Sequence, residues 1–234
     1  MTEDEWLACE EPIRMFEFLH RKASDRKLRL LACANVRGFR QHLGAHSAQE
    51  LLDTFEAYTD GLALYSEVDA MRSAVNELAR ALRSDSEPRA ALDACLDLTR
   101  MAVNDSSAYW GCRSVASDVG RIEVLALRAA KVEPSSAEYS AALGQALSRS
   151  ASLSRDVFGN PFRPVAVDPA WRTDTALSLA RGMYESRDFS AMPILADALQ
   201  DAGCDNPDVL DHCRDAAATH VRGCWVVDLV LEKV

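Results

Sequence analysis

The chain has 234 residues, 48% of them hydrophobic and 26% charged, with a formal net charge of −10. This balance excludes an intrinsically disordered polymer, and the acidity disfavours non-specific binding to nucleic acid or an anionic membrane. No window approaches the roughly eighteen apolar residues of a membrane span, so no membrane partner is expected.

The opening Met1-Thr-Glu-Asp-Glu5 lacks the basic-then-apolar pattern of a secretion signal. Seven cysteines (Cys9, Cys33, Cys95, Cys112, Cys204, Cys213 and Cys224) are odd in number and scattered. Buried free thiols in a reducing cytoplasm fit that pattern better than a disulfide framework. The protein is therefore expected in the cytoplasm.

Helix signals begin at once. Thr2 with Glu5 fits a capping box, as does Ser47 with Glu50, since hydroxyl and carboxylate can satisfy each other's orphan N–H groups. Pro12 suits the first turn of a second helix, where its missing N–H costs nothing. Ser24 reads as the cap of a helix running to about Leu43. Amphipathic spacing then predicts helices near 48–60, 62–83, 87–103, 106–131 and 136–157. In the second of these, Val68, Met71, Val75, Leu78, Ala79 and Leu82 form one apolar stripe.

The stretch 158–171 breaks the pattern. Pro161, Pro164 and Pro169 cannot sit inside a helix, while Phe158, Phe162 and Trp171 are too apolar for a loop left in solvent. An ordered connector is expected, with those three aromatics as a candidate partner-binding loop. Shorter helices follow at about 174–186, 190–202, 207–215 and 221–232, with Gly203 placed just past a helix end. Trp225 to Leu231 could be strand or buried helix by periodicity alone, and helix is preferred because no partner strand is on offer. The expected fold is an all-α multi-helix bundle. It divides into an N-terminal helical bundle, 1–157, and a C-terminal unit, 158–234, of connector plus short helices, packed together as one globule.

Charge is unevenly spread. Between Arg14 and Arg40 there are eight basic residues against two acidic ones, within a chain of net −10. On a continuous helix Lys22, Arg26, Arg29, Arg37 and Arg40 share an arc of roughly 80°, at about 100° per residue. Cys33 lies inside that arc. One reading is an anion-binding face for nucleic-acid phosphate or an acidic protein. The plainer reading, arginines paired with the acidic remainder of the molecule, carries more weight because no zinc finger, RNA-recognition or basic-zipper pattern accompanies them.

Cys204, His212, Cys213, His220 and Cys224 place five soft ligands within 21 residues. Zinc takes four such ligands in a tetrahedron, and Cys204, His212 or Cys213, His220 and Cys224 could supply them. His220 and Cys224, four apart, would share a face if the last helix started early enough. Against zinc, there is no paired C-x2-C knuckle, His212 and Cys213 diverge on a helix, and cysteine is often buried for packing alone. Core thiols with hydrogen-bonded histidines are the favoured reading, so no cofactor is expected, with zinc the alternative. The acidic run Asp197, Asp201, Asp205, Asp208 and Asp211 reads as helix-surface solvation and first-turn placement. A nucleophile elbow, a phosphate-binding glycine loop and an H-E-x-x-H are all missing. Nothing favours an enzyme.

The opening Met1-Thr-Glu-Asp-Glu-Trp-Leu-Ala-Cys9 and the string Lys22-Ala-Ser-Asp-Arg-Lys-Leu-Arg-Leu30 are distinctive. So are Phe158-Gly-Asn-Pro-Phe-Arg-Pro-Val165, Met192-Pro-Ile-Leu-Ala-Asp-Ala-Leu199 and His220-Val-Arg-Gly-Cys-Trp-Val-Val-Asp-Leu229. Together they resemble a family of uncharacterised proteins abundant in planctomycete bacteria. The resemblance covers both ends of the chain; the middle, about 45–150, looks variable. It implies a bacterial source and a shared unit, with no activity attached. Members of that family are richer in cysteine after the basic string, where this chain has Ala32-Cys-Ala-Asn-Val36, which argues against a metal role for Cys33. The functional expectation is a non-enzymatic cytoplasmic module that binds another protein. The alternative is a nucleic-acid-binding or zinc-supported protein using the basic helix 22–40 and the C-terminal Cys/His cluster.

Overall fold

A computed structural model of the chain describes residues 1–38, 46–82, 107–117 and 136–233. These residues form helices packed on helices, with no strand among them, so the all-α expectation holds. None of the described helices is long and apolar enough to cross a membrane.

The chain divides into two compact units, one made of Met1–Ala8 with Ser152–Val234, the other of Cys9–Ala151. The division falls a few residues before the sequence-based boundary at 157/158, and the first helix belongs with the C-terminal residues. The helix Ala137–Phe158 contributes to both units, its residues from Ser152 onward to the first.

In the first unit the local signals work as the chemistry requires. Glu3–Ala8 is closed by the Thr2/Glu5 box: the Thr2 N–H donates to Glu5 Oε2 (2.7 Å) and the Glu5 N–H to Thr2 Oγ1 (3.3 Å). Thr173 caps Asp174–Ser186 and Asn206 caps Pro207–Arg214, each side chain accepting the N–H three residues on. Met192–Asp201 lies between them, and Trp225–Leu231 completes the unit. Its last helix starts four residues later than the predicted 221, because Val221–Cys224 is a turn closed by the Cys224 N–H donating to the Val221 carbonyl (2.8 Å). The core follows helical spacing: Ala176, Ala180, Met183 and Tyr184 from one helix; Leu195, Ala196 and Leu199 from the next; Val226, Val227 and Val230 from the last. Each leucine, valine or methionine side chain buried this way stabilises the fold by roughly 1.5–3 kcal/mol.

The connector 158–171 is ordered, ending in a 3-10 turn, Pro169–Trp171, capped by Asp168. Trp171 and Val165 pack on the core. Gly159 sits at φ +63°, and a Cβ there would meet the Trp225 ring at 3.0 Å, so any other residue is strained. Its carbonyl accepts the indole N–H of Trp6 (3.0 Å).

The second unit contains Pro12–Leu19, Asp25–Arg37, His46–Thr59, Tyr65–Leu82 and a helical stretch at 108–117. Pro12 opens its helix and Ser24 caps the next, accepting the Lys27 N–H. Asp25–Arg37 packs on His46–Thr59, which packs on Tyr65–Leu82. The helix capped by Ser24 is described as far as Arg37, and its predicted continuation to Leu43 runs outside the described residues; Ser47 stands at the second position of His46–Thr59. Arg40, the predicted helix 87–103 and Cys95 lie outside the described residues.

Candidate metal centre

Four side chains of the first unit converge. Asp156 comes from the last turns of the Ala137–Phe158 helix, and His212 from the Pro207–Arg214 helix. His220 precedes the Val221–Cys224 turn, and Cys224 is the N-cap residue of Trp225–Leu231. One donor atom from each lies within 4.8 Å of all the others. Asp156 and Cys224 are buried; the two imidazoles are nearly so.

The geometry has one notable property. His220 Nδ1 lies 2.7 Å from Asp156 Oδ1 and 3.9 Å from Cys224 Sγ. His212 Nε2 lies 3.3 Å from the same Asp156 oxygen and 3.2 Å from the same sulfur. Each ring thus turns a single nitrogen towards both the carboxylate and the thiol. The Val221 N–H donates to the other carboxylate oxygen, Asp156 Oδ2 (2.9 Å), and so holds Oδ1 towards the rings. The imidazoles meet edge to face, 4.8 Å between centroids at 71°. Trp225 stacks obliquely on His212 and Phe189 on His220, which fixes both ring planes. His220 Nε2, on the far edge, is buried with no partner among the described residues, so the Nδ1 contacts set that ring's rotation.

Electrostatics follow from burial and proximity. Burial alone would raise the Asp156 carboxyl. Hydrogen bonds from His212 and His220, and their charge, outweigh it and hold the group below the usual carboxylate range. Burial pushes the Cys224 thiol well above its ordinary value, the Asp156 carboxylate adds to this, and the Val227 N–H offsets part of it. Cys213 is pushed up to about 12, chiefly by burial, and Cys204 is raised by burial too.

Of the sequence-predicted ligands, His220 and Cys224 are brought together and His212 joins them. Cys204 and Cys213 are instead packed among Leu199, Val209 and Leu210 in the core, and neither belongs to the converging set. His212 and Cys213 do diverge on their helix, one into the cluster and one into the core. His220 and Cys224 meet through a turn rather than along a shared helix face. Asp156 was not singled out from sequence. Its only signal was an acid inside a buried stripe, with Leu153 and Val157 beside it.

The described members of the basic arc each meet a side chain of their own unit. Lys22 precedes the helix Asp25–Arg37 and rests over the Phe18 ring at 3.5 Å. Arg26 pairs with Asp60 (2.8 Å), and Arg37 with Asp53 (2.5 Å) and Glu56 (2.9 Å). Arg29 stacks towards Tyr58. Cys33, in the middle of that arc, is fully buried. In the connector Phe158 ends a helix half-buried, Trp171 packs inward and Phe162 is exposed. No protein-family model, no curated protein and no solved structure matches the chain.

Proposed function

We propose that the protein is a non-enzymatic module of the bacterial cytoplasm that binds another protein. The observation that carries this reading is the turn between His46–Thr59 and Tyr65–Leu82. There Leu62 and Leu64 are 72% and 70% exposed, and Tyr65 is 41% exposed. The turn is built rather than frayed. Gly61 takes φ +73°, the Leu62 N–H donates to the Ala57 carbonyl (2.8 Å), and the Leu64 N–H to Glu67 Oε2 (2.7 Å). Leu62 and Leu64, held outward on fixed backbone beside a Tyr65 that packs on Tyr58 and Arg72, raise the free energy of the solvated protein, and burying them in a partner's groove recovers it. This tip is a stronger contact surface than the arc 22–40, where Arg26 and Arg37 pair with Asp60, Asp53 and Glu56, or the connector, where Trp171 packs inward.

Other features support the absence of chemistry. The thiol nearest two imidazoles is buried and raised, whereas a nucleophilic cysteine needs access and a lowered value. The six described cysteines are buried, which suits thiols in a reducing compartment. The test is cross-linked co-purification from the native cells with wild type and a Leu62→Ser/Leu64→Ser variant of unchanged helicity. A discrete protein retained by wild type and lost by the variant is the expected result. Equal retention by both, or a solution self-association that the variant does not alter, overturns it.

A further inference from the structure

We infer that Asp156, His212, His220 and Cys224 form a structural site for one divalent zinc-class ion, a property independent of the partner-binding reading. Three alternatives could place these residues together: a plain hydrogen-bonded core, a cysteine–histidine–aspartate relay, or a coordination sphere.

A relay needs the two nitrogens of one imidazole to face opposite ways, one to the thiol and the other to the carboxylate. Here both rings do the reverse. His212 presents Nε2 to Asp156 Oδ1 and to Cys224 Sγ, and His220 presents Nδ1 to the same two atoms. A plain hydrogen-bonded core would spread the donors among separate acceptors. These four atoms instead crowd together, all within 4.8 Å of one another.

Size agrees. With metal–nitrogen and metal–oxygen distances of about 2.0 Å and metal–sulfur of about 2.3 Å, a tetrahedron has edges of about 3.3–3.6 Å. The contacts between imidazole nitrogens and the other two ligands are 2.7, 3.2, 3.3 and 3.9 Å. No two of the four donor atoms are further apart than 4.8 Å, so opening the shortest contact and closing the longest to tetrahedral length takes side-chain movement of roughly an ångström.

Charge agrees as well. On binding, Cys224 gives its proton to solvent as the metal–sulfur bond forms, both imidazoles are neutral, and Asp156 is ionised. One thiolate and one carboxylate balance a dication, so the buried centre carries no net charge, which keeps its desolvation cost low. The Val221 N–H on Asp156 Oδ2 leaves Oδ1 as a single-oxygen ligand and holds it aimed at the ion, as outer hydrogen bonds do for metal carboxylates. Two nitrogens, one sulfur and one oxygen suit zinc and reject magnesium and calcium, which want oxygen only. An ion there ties together the end of the Ala137–Phe158 helix, the Pro207–Arg214 helix and the start of Trp225–Leu231. It therefore staples a unit with few long helices of its own.

The test uses the full chain without an affinity tag, grown with zinc. Elemental analysis is expected to find about one zinc per chain. Replacing it with cobalt(II) is expected to give visible d–d bands of a tetrahedral centre and a near-ultraviolet thiolate-to-cobalt band. Cys224→Ser removes the thiolate band, and His212→Gln or Asp156→Asn loses the stoichiometric ion. Cys204→Ala and Cys213→Ala keep both. Zinc at about a hundredfold excess over its Kd raises the thermal midpoint of the chelator-treated wild type by about 10 °C. Because the wild-type spectrum alone reports a sulfur ligand, variants that fail to fold leave the test intact. A folded wild type that takes up neither ion, cobalt bound without a thiolate band, or Cys204 and Cys213 variants that abolish binding would each overturn the assignment.

Discussion

Trp6 donates its indole N–H to the carbonyl of Gly159 across 153 residues of sequence, at 3.0 Å. The indole is fully buried, and the first helix is held there by further contacts: Asn160 Nδ2 to Glu3 Oε1 (2.7 Å), Arg163 to Glu3 (2.5 Å) and Arg155 to the Trp6 carbonyl (3.4 Å). An eight-residue segment at one end of the chain thus completes the core of the other.

Trp6→Ala is expected to cost about 3–5 kcal/mol, the range for a large aromatic deleted from a packed core. Trp6→Phe keeps most of the packing but leaves the Gly159 carbonyl without its donor, and should cost about 1–3 kcal/mol. Gly159→Ala meets both a left-handed backbone and the Trp225 ring, and should cost at least about 1 kcal/mol. Urea denaturation followed by tryptophan fluorescence measures all three, and a Gly159→Ala midpoint equal to wild type would contradict this geometry.

Removing the carboxylate of Asp156 should destabilise the protein even with chelator present. Asp156→Ala deprives the Val221 N–H and both imidazoles of their buried acceptor, at a cost of about 3 kcal/mol. His212→Ala, which spares the Asp156–His220 contact, should cost less. The ranking of the two denaturant midpoints is the check.

In the other unit, Arg37 bridges Asp53 and the buried Glu56. Arg37→Met removes the guanidinium from a carboxylate that has little water to replace it, and should cost about 3 kcal/mol. Pairing it with Glu56→Gln should restore part of that loss, and the double-mutant coupling energy is the quantity to measure. Additive single effects would show that the bridge contributes nothing.

Cys112 links stability to alkaline pH. Burial raises its thiol well above the ordinary range, so the folded state holds the proton more tightly than the unfolded chain. For an acid shifted this way the contribution is complete below the unfolded value and is lost as pH rises above it. Beyond about pH 8.5 each pH unit should remove about 1.4 kcal/mol for this group. Unfolding midpoints from pH 7 to 10 should fall less steeply in Cys112→Ala than in wild type. The six described thiols should also resist a disulfide exchange reagent in the native state and react together on unfolding.

Much of the helical scaffold was legible because its signals are local. Thr2 with Glu5 and Ser24 each cap the helix they were placed to cap, and Pro12 opens its own. The cluster was legible only in part. His212, His220 and Cys224 stand close enough in sequence to suggest one another, but Asp156 is 56 residues before His212 and reaches them only through tertiary packing. Cys204 and Cys213 carry the same donor chemistry as Cys224, and only the fold separates a core thiol from one facing two imidazoles. Spacing on a helix does not show what lies opposite a basic arc: Asp60 faces Arg26, and Asp53 and Glu56 face Arg37.

Because Met1–Ala8 and Ser152 onward build one unit while Cys9–Ala151 builds another, the polypeptide has the topology of a host with an inserted guest. The guest can be excised: Ala8 joined to Ser152 by a short glycine–serine bridge should yield a miniature that keeps the Trp6 lock. A fragment beginning at Ser152 has no such plug, and should expose the pocket the indole fills.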